Sequence, residues 1–251
     1  MPSEIHIIGI GGLPEVKAGD NLGDLIIKAA ADQKKPIKSG DVLVVTQKVV
    51  SKAEGRIVDL SEVEPSPLAI QIASEHQRDP RHTEVVLRES KRIVRMDRGV
   101  IIAETRHGFR CANAGVDASN VEGQETVALL PLDPDASAKA IMARVQEILG
   151  AEIGVIISDT FGRPWREGAA NVAIGVAGLN PLLDYRGQVD PFGYPLRTTT
   201  IAVADELASA AELVMGKLDQ VPVALIKGYQ YPRGDTGIGV LIRPAERDLF
   251  R

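Results

Sequence analysis

The chain has 251 residues and a formal net charge of −5, with 44% hydrophobic and 4% aromatic residues. This length is enough for one large domain with its own core, and the composition excludes a collagen-like or globally disordered chain. A mildly acidic, aromatic-poor chain lacks the basic field and the stacking surface that favour nucleic-acid binding. Its one cysteine, Cys111, predicts a reducing compartment such as the cytoplasm, and we expect neither a signal peptide nor a transmembrane helix.

Apolar periodicity and turn residues predict the elements of the first half of the chain. In chain order we expect the strand Ile5–Ile10, a helix capped by Asn21, the buried strand Val42–Val45, a polar loop through Arg56, helices over Leu68–His76 and His82–Glu89, and a hairpin of Val100–Ala103 with Phe109–Ala112.

The second half contains the clearest helix of the sequence, which begins after Asp133 and ends at Gly150. The other expected elements are strands at Val127–Leu130, Ile153–Ile157, Thr198–Val203 and Val221–Ile226, a partly irregular stretch over 162–180, and a helix over Asp205–Met215. Helices and strands alternate, but hairpins also occur, so we predict an α/β (α+β) fold in which helices cover a mixed β-sheet. We expect one catalytic domain over residues 1–251, because no repeat or linker divides the chain.

Several familiar motifs are incomplete. Gly9 and Gly11 begin a dinucleotide-binding fingerprint, but Pro14 stands where its third glycine is needed, so a turn that ends the strand is the better interpretation. The four histidines have no metal-ligand spacing. Cys111 lies in a predicted strand, which favours a small buried apolar residue over a nucleophile.

Three polar segments follow predicted strands. Asn113–Asn120 is small and turn-prone, so it is either an ordinary loop or a site in which Asp117 binds a hard cation and Asn120 contacts a ligand. In Ile156–Arg166, Asp159 and Thr160 end an apolar strand and suit Mg²⁺ or Mn²⁺, whereas an Asp-capped strand end is the alternative. Val45–Arg56 carries two lysines and an arginine, which bind phosphates or simply face solvent.

Together, these segments resemble the F420-0:L-glutamate ligase family, the γ-glutamyl ligases of coenzyme F420 biosynthesis. The shared segments are Gly12–Pro14, Val49–Arg56, Asn113–Asn120, Leu130–Asp135, Asp159–Thr160 with Gly162–Arg163, and Val203–Glu206. The resemblance implies the F420 ligase-like fold, an intertwined homodimer and a GTP-dependent ligase. GTP would phosphorylate the phospholactyl carboxylate of F420-0, and the amine of L-glutamate would then attack that acyl phosphate, with further γ-linked glutamates able to follow.

The resemblance also implies site residues. The nucleotide site would consist of Leu13, Pro14, Glu15, Val16, Gln47, Lys52, Asn120, Met215 and Gly216. Asp117 and Asp159 would hold one Mg²⁺ or Mn²⁺, Thr160 would contact a second, and K⁺ is a further candidate cation. The catalytic group would be Asp117, Asp159 and Lys52.

Two features depart from the family or add to it. Archaeal relatives carry an acidic residue for the second metal directly after Met-Gly, where this chain has Lys217. We also hypothesise that Arg163 and Arg166 bind the acidic tail of the deazaflavin substrate, with Trp165 or Tyr185 packing on its ring, because all three substrates are anions. Some actinobacterial relatives carry an appended nitroreductase-like flavin domain, and we expect none in this chain.

Two alternatives stay open. The chain could be an amide ligase for another acid acceptor, or a non-catalytic nucleotide-binding protein. Two carboxylates at the ends of separate strands, Asp117 and Asp159, argue against the second.

Overall fold

A computed structural model describes residues 4–118 and 125–248. Its strands are β1 (His6–Ile10), β2 (Val42–Thr46), β3 (Ile57–Asp59), β4 (Ser90–Asp97), β5 (Val100–Thr105), β6 (Arg110–Ala112), β7 (Thr126–Ala128), β8 (Gly154–Arg163), β9 (Arg166–Ala177), β10 (Leu183–Asp184), β11 (Thr200–Ile201) and β12 (Val223–Lys227). Its α-helices are α1 (Leu22–Asp32), α2 (Gln47–Ala53), α3 (Pro67–His76), α4 (Pro80–Glu89), α5 (Pro134–Leu149) and α6 (Val203–Met215).

The central feature is a five-stranded mixed sheet in the order β1-β12-β2-β8-β9. Strands β2 and β8 pair in parallel, and the other neighbours are antiparallel. The middle strands are continuous apolar runs, because both of their faces are covered: Val42–Val45 and Val155–Ile157 are fully buried. The parallel pair brings the carboxyl ends of β2 and β8 to the same edge of the sheet, with Thr46 opposite Ser158.

Helices pack closely on this sheet. Helix α5 packs against β8 and β9, and α6 packs against β1, β9 and β12. Gly175 on β9 permits the first contact, since a Cβ there would lie 2.4 Å from the backbone of Pro134. Helix α5 begins as its sequence predicts: Asp133 accepts a hydrogen bond from the backbone N–H of Ala136 at 3.0 Å, and Gly150 ends the helix in the left-handed conformation.

A second, smaller core lies beneath α3, α4, the three-stranded sheet β4-β5-β6 and the pair β3–β7. We call these elements the small lobe. Its core is formed by small and β-branched side chains, including Val85, Val86, Ala103 and Val127. Within the part of the chain that the structure describes, no helix has both the length and the apolar character to cross a membrane.

The predicted mixed α/β fold with covering helices is confirmed. The apolar strands β1, β2 and β12 and the helices α1, α3, α4, α5 and α6 lie close to their expected positions. Asn21 caps α1 as predicted, by accepting a hydrogen bond from the backbone N–H of Asp24 at 3.2 Å.

Some local predictions were wrong. The polar loop expected after β2 is helix α2, and the stretch expected to be partly irregular is the regular hairpin β8–β9, which runs to Ala177. The strand expected at Thr198–Val203 is only two residues long, because Val203 already begins α6. The charged strand β4 was not anticipated.

Candidate active site

A cleft of about 560 Å³ opens where β2 ends, beside Ser158–Thr160 of β8. The loop after β1, the first turns of α2, the polar part of β8–β9 and the segment after α6 surround it. Its lining residues are Leu13, Pro14, Glu15, Val16, Thr46, Gln47, Lys48, Val49, Lys52, Ser158, Asp159, Thr160, Asn171, Glu212, Gly216, Lys217, Leu218, Gln220, Val221 and Pro222. Most residues predicted for the nucleotide and metal sites therefore meet in one place, although their roles stay predictions.

The loop that carries Leu13–Val16 is fixed from α1 and the residues after it. Gln33 Nε2 donates to the carbonyl of Gly11 at 2.7 Å, and Lys35 Nζ donates to the carbonyl of Gly9 at 2.8 Å. Gly9 lies on the edge strand β1 and Gly11 in the turn after it, so these bonds satisfy backbone oxygens at the end of the strand. The start of the loop is therefore tied to the residues that follow α1.

Helix α2 is anchored beneath the cleft by buried polar groups. Gln47 is 1% exposed, and its Nε2 donates to Ser51 Oγ at 2.9 Å and to the carbonyl of Leu129 at 3.0 Å. Ser51 Oγ donates to the same carbonyl at 2.6 Å. Gln47 thus lines the cleft, and its two hydrogen bonds to Ser51 and Leu129 set the orientation of its side chain. These buried polar groups are costly to leave unpaired.

Two lysines on α2 are paired with carboxylates. Lys52 Nζ lies 2.5 Å from Glu15 Oε1, and Lys48 Nζ lies 2.8 Å from Asp117 Oδ2. Both lysine side chains are largely buried, whereas Glu15 is 60% exposed. A phosphate group entering the cleft would therefore meet Lys52 already engaged with an exposed carboxylate.

Asp117 is placed by a left-handed turn. Asn113, Ala114 and Gly115 have φ of 52°, 53° and 75°, as the small, turn-prone sequence favours. The backbone N–H and C=O of Asp117 then pair with Ala128 at 3.0 and 2.8 Å. Asp117 does not line the cleft directly, but its carboxylate reaches Lys48, which does.

Asp159 is the electrostatically unusual carboxylate of the cleft. Burial raises its pKa to about 6; the N–H of Thr160, which donates to Oδ1 at 2.8 Å, opposes this rise. The negative charge of Asp117 raises the pKa further, and the positive charges of Lys48 and Lys217 lower it. Asp117 and Asp159 are therefore close enough to repel each other, so a cation between them would be stabilised.

The donor set at this edge suits a hard divalent cation. It combines the carboxylates of Asp117 and Asp159 with the hydroxyl of Thr160 and the hydroxyl of Ser158, which is buried and has no hydrogen-bond partner among the described residues. The described residues contain no cluster of three carboxylate, histidine or cysteine ligands. Mg²⁺ commonly needs only one or two carboxylates when substrate phosphates complete its shell, so the set fits.

The polar cleft residues that sequence reasoning missed include Ser158, Asn171 and Glu212. Thr160 Oγ1 lies 2.8 Å from Asn171 Oδ1, and Asn171 Nδ2 lies 2.8 Å from Glu212 Oε2. One signal was present in the sequence. Asp205, Ser209 and Glu212 recur at helical spacing, and this polar stripe of an otherwise apolar helix faces β9.

Other predicted residues lie elsewhere. Arg163 and Arg166 flank the exposed turn at the tip of the β8–β9 hairpin and do not line the cleft; Arg163 instead donates to the carbonyls of Glu167 and Gly168. Trp165, in that turn, is 80% exposed. Asp159 and Thr160 lie within β8 rather than at its end, because the strand continues to Arg163.

Two further assignments need comment. Met215, expected to border the nucleotide, is fully buried in the main core, so only Gly216 of that pair lines the cleft. Asn120 lies outside the described residues. Cys111 is buried as predicted, and burial together with the charge of Asp159 raises the pKa of its thiol to about 12, which disfavours the nucleophilic thiolate.

Comparison with known proteins identifies relatives over nearly the whole chain. Residues 11–228 match the family described as F420-0:Gamma-glutamyl ligase. The chain is 50% identical to the coenzyme F420:L-glutamate ligase of Methanothermobacter thermautotrophicus, over 98% of this chain and 99% of that one. It is 43% identical to the same-named protein of Methanocaldococcus jannaschii, over 99% and 97% of the two chains. The chain therefore belongs to the F420-0:gamma-glutamyl ligase family and is an enzyme of the ligase class.

Proposed function

We propose that this enzyme joins L-glutamate to the phospholactyl carboxylate of F420-0 in coenzyme F420 biosynthesis, with GTP as the energy source. The observation that carries the proposal is the meeting of the Leu13–Val16 loop, Lys52 and the Asp159–Thr160 strand in one cleft. This arrangement offers a shaped loop, a cation and oxygen ligands, which are the parts that phosphoryl transfer requires. The names of the relatives, coenzyme F420:L-glutamate ligases, support the choice of substrates.

The proposed chemistry follows from the poor reactivity of a carboxylate. A carboxylate oxygen of F420-0 attacks the γ-phosphorus of GTP, GDP leaves, and an acyl phosphate forms. The amine of glutamate attacks the acyl carbon, inorganic phosphate leaves with the bonding electrons, and the nitrogen loses a proton to give the amide. Further cycles would add γ-linked glutamates to the tail.

The roles of the chain's residues follow from their positions. Leu13–Val16 and Gly216 would border the nucleotide, Gln47 would hold it from the buried side, and Lys52 would balance phosphate charge after parting from Glu15. Asn120 stays a proposed nucleotide contact. Exclusion of water by this loop and α2 would protect the acyl phosphate from hydrolysis.

Asp117, Asp159 and Thr160 would hold Mg²⁺ or Mn²⁺, with Ser158 as a further oxygen donor. When bound, the cation supplies positive charge that offsets the repulsion between the acceptor carboxylate and the phosphates of GTP. Lys217 lines the cleft near Asp159 and would provide fixed positive charge where a second divalent ion, or K⁺, would otherwise sit.

Arg163 and Arg166 remain our proposal for the acidic tail of the acceptor, in a revised position. They lie beyond Thr160 on the hairpin, so they would contact the part of F420-0 that projects out of the cleft, with Trp165 or Tyr185 against its ring. Arg166→Ala should then raise the KM for F420-0 while leaving the KM values for GTP and glutamate unchanged. If Arg166→Ala keeps the wild-type KM for all three substrates, this role is excluded.

A homodimer is also proposed. Large apolar side chains are exposed on the segment between β10 and β11, including Phe192 at 96% and Tyr194 at 66% exposure. Exposed aromatic groups of this size are common at protein interfaces. Sedimentation analysis of the purified protein would test the dimer, and Phe192→Ser should weaken it.

The deciding experiment measures phosphate release with GTP, glutamate and Mn²⁺ or Mg²⁺, with and without F420-0, and identifies products by mass spectrometry. Phosphate release that depends on F420-0, with product mass increased by glutamyl units, supports the proposal. Turnover only with another acid would favour a different amide ligase. Thermal stabilisation by GTP without any turnover would favour a non-catalytic nucleotide-binding protein.

A further inference from the structure

A hydrogen-bonded chain of three cleft-lining residues, centred on the buried Asn171, connects α6 to β8 through β9. Thr160 on β8 lies directly opposite Asn171 on β9 in the strand register. Asn171 is only 3% exposed, and both ends of its amide are occupied: Oδ1 by Thr160 Oγ1 and Nδ2 by Glu212 Oε2, each at 2.8 Å. The chain therefore runs from Glu212 through Asn171 to Thr160.

The chemistry of the three groups fixes the direction of every bond. An ionised carboxylate only accepts hydrogen bonds, so the Asn171 NH₂ must face Glu212. The amide oxygen of Asn171 must then face Thr160, and an amide oxygen also only accepts. The Thr160 hydroxyl is consequently the donor in its bond to Asn171, and its proton is directed at the Asn171 amide oxygen.

Helix α6 is held rigidly enough to maintain this arrangement. Asp205 accepts from the backbone N–H of Ala173 at 2.9 Å, and Ser209 Oγ donates to the backbone carbonyl of Asn171 at 2.7 Å. With Glu212, these residues lie at helical positions i, i+4 and i+7 and bind two residues of β9, Ala173 and Asn171. Glu212 is therefore positioned by the helix as a whole.

We propose that Asn171 and Glu212 are positioning residues that hold the Thr160 hydroxyl with its proton donated to Asn171, so that its lone pairs can meet a divalent cation in the cleft. A hydroxyl whose proton is already donated cannot donate to a phosphate oxygen, but it is well suited to a metal ion. The inference rests on the proposed function, which places a cation beside Asp159 and Thr160. Outer residues that orient a ligand commonly change metal affinity by about 10- to 100-fold.

The test measures Mn²⁺ binding to the purified protein without nucleotide, from the electron paramagnetic resonance signal of free Mn²⁺. Glu212→Ala should weaken Mn²⁺ binding about 10-fold or more. Glu212→Gln should restore most of it, because a Gln carbonyl oxygen can still accept from Asn171 Nδ2. Glu206→Ala is the matched control: it removes an exposed carboxylate from the same helix and should leave Mn²⁺ binding unchanged.

A double-mutant comparison distinguishes positioning from direct contact. In a Thr160→Val background, Glu212→Ala should have no further effect on Mn²⁺ affinity, because there is no hydroxyl left to orient. An equal loss in both backgrounds would overturn the proposal and make Glu212 a direct cation contact. A Glu212→Gln variant as weak as Glu212→Ala would also overturn it, since charge rather than hydrogen-bond direction would then matter.

Failure of the proposed function has a different signature. If Asp159→Asn leaves Mn²⁺ affinity at the wild-type level, the cation does not bind at this edge, and both proposals fall. If Asp159→Asn abolishes binding while Glu212→Ala has no effect, the cation site stands and only the positioning role is lost. Thermal unfolding of each variant separates these results from misfolding.

Discussion

The charged forms of the small-lobe carboxylates and of Asp159 in the cleft are stabilised to very different degrees. Glu84 on α4 accepts hydrogen bonds from the side chain of Ser66, from the backbone N–H of Ser66 at 3.0 Å and from Arg88 Nε at 2.8 Å, and these bonds lower its pKa to about 2. Asp159 accepts one backbone hydrogen bond, and burial raises its pKa to about 6. The small lobe favours the charged form of its acid, whereas the cleft disfavours it.

Glu104 on β5 extends the same contrast. Burial raises its pKa, but hydrogen bonds from Lys91 and Arg92 at 3.3 and 2.9 Å outweigh that effect, and the net shift is downward. A buried carboxylate surrounded by donors is part of the scaffold. A buried carboxylate with fewer such donors, beside a second acid, is suited to bind a divalent cation.

The largest expected effect comes from removing the charge of the cleft acid. Asp159→Asn should lower kcat/KM by about 10³-fold, because electrostatic stabilisation of the transferring phosphoryl group is lost. Its amide oxygen can still accept from Thr160 N, so the free energy of unfolding should stay equal or rise by about 1 kcal/mol. Steady-state kinetics and urea unfolding measure the two quantities. If Asp159→Asn keeps wild-type kcat/KM and is less stable than wild type, Asp159 acts as a scaffold carboxylate and the contrast with Glu84 is lost.

Sequence alone predicts the scaffold of the site better than its contacts. Continuous apolar runs mark β2 and β12 as buried strands, and Asp133 with Gly150 marks both ends of α5. Helix α2 escapes prediction because it is only seven residues long and has no side-chain cap. Strand β4 escapes because half of its side chains are charged and most are exposed, so the apolar alternation of a half-buried strand is missing.

The residues of the site also divide into those that the sequence predicts and those that only the tertiary structure reveals. Asp159 and Thr160 could be identified from an apolar strand that runs into oxygen-bearing residues. Asn171 and Glu212 lie 11 and 52 positions beyond Thr160, and only strand pairing and helix packing bring them to it. The raised pKa of Asp159 likewise depends on burial and on Asp117, both of which are tertiary properties.

Lys52 tests the cationic side of the cleft. Lys52 lies on α2, and Lys52→Met keeps its largely buried apolar stem but removes the ammonium group. We expect the KM for GTP to rise about 10- to 100-fold, the range that a lost hydrogen bond between charged groups would give. Lys28→Met, on the exposed face of α1, is the control for loss of one positive charge. A KM unchanged in Lys52→Met would exclude a nucleotide contact for this lysine.

Glu84 tests the scaffold side. Glu84→Gln leaves one donor without a matching acceptor and should cost about 1–2 kcal/mol of unfolding free energy at pH 7, with kcat/KM unchanged. The folded pKa of about 2 lies below the ordinary value of 4.5, so this stability is present above pH 4.5 and is lost as the pH falls toward 2. The difference between wild type and variant should therefore shrink at low pH.

Urea unfolding at pH 7 and pH 3 measures this difference. Glu75→Gln, at an exposed position of α3, is the matched control and should show neither effect. If the difference in unfolding free energy between wild type and Glu84→Gln is the same at both pH values, the charge of Glu84 contributes nothing and only its shape matters.

The smallest expected effect concerns Glu15, which lines the cleft but has an exposed carboxylate that is paired with a cation, as the scaffold carboxylates are. Its exposed ion pair with Lys52 is worth at most about 1 kcal/mol, so Glu15→Gln should free Lys52 for phosphate and lower the KM for GTP by up to about 5-fold. Glu62→Gln, an exposed position of the small lobe, makes the same change in net charge and should leave the KM unchanged. In a Lys52→Met background Glu15→Gln should also have no effect, because the competition it relieves no longer exists. A higher KM in Glu15→Gln would instead show that Glu15 binds the nucleotide itself, and the pair would then belong to the bound state rather than compete with it.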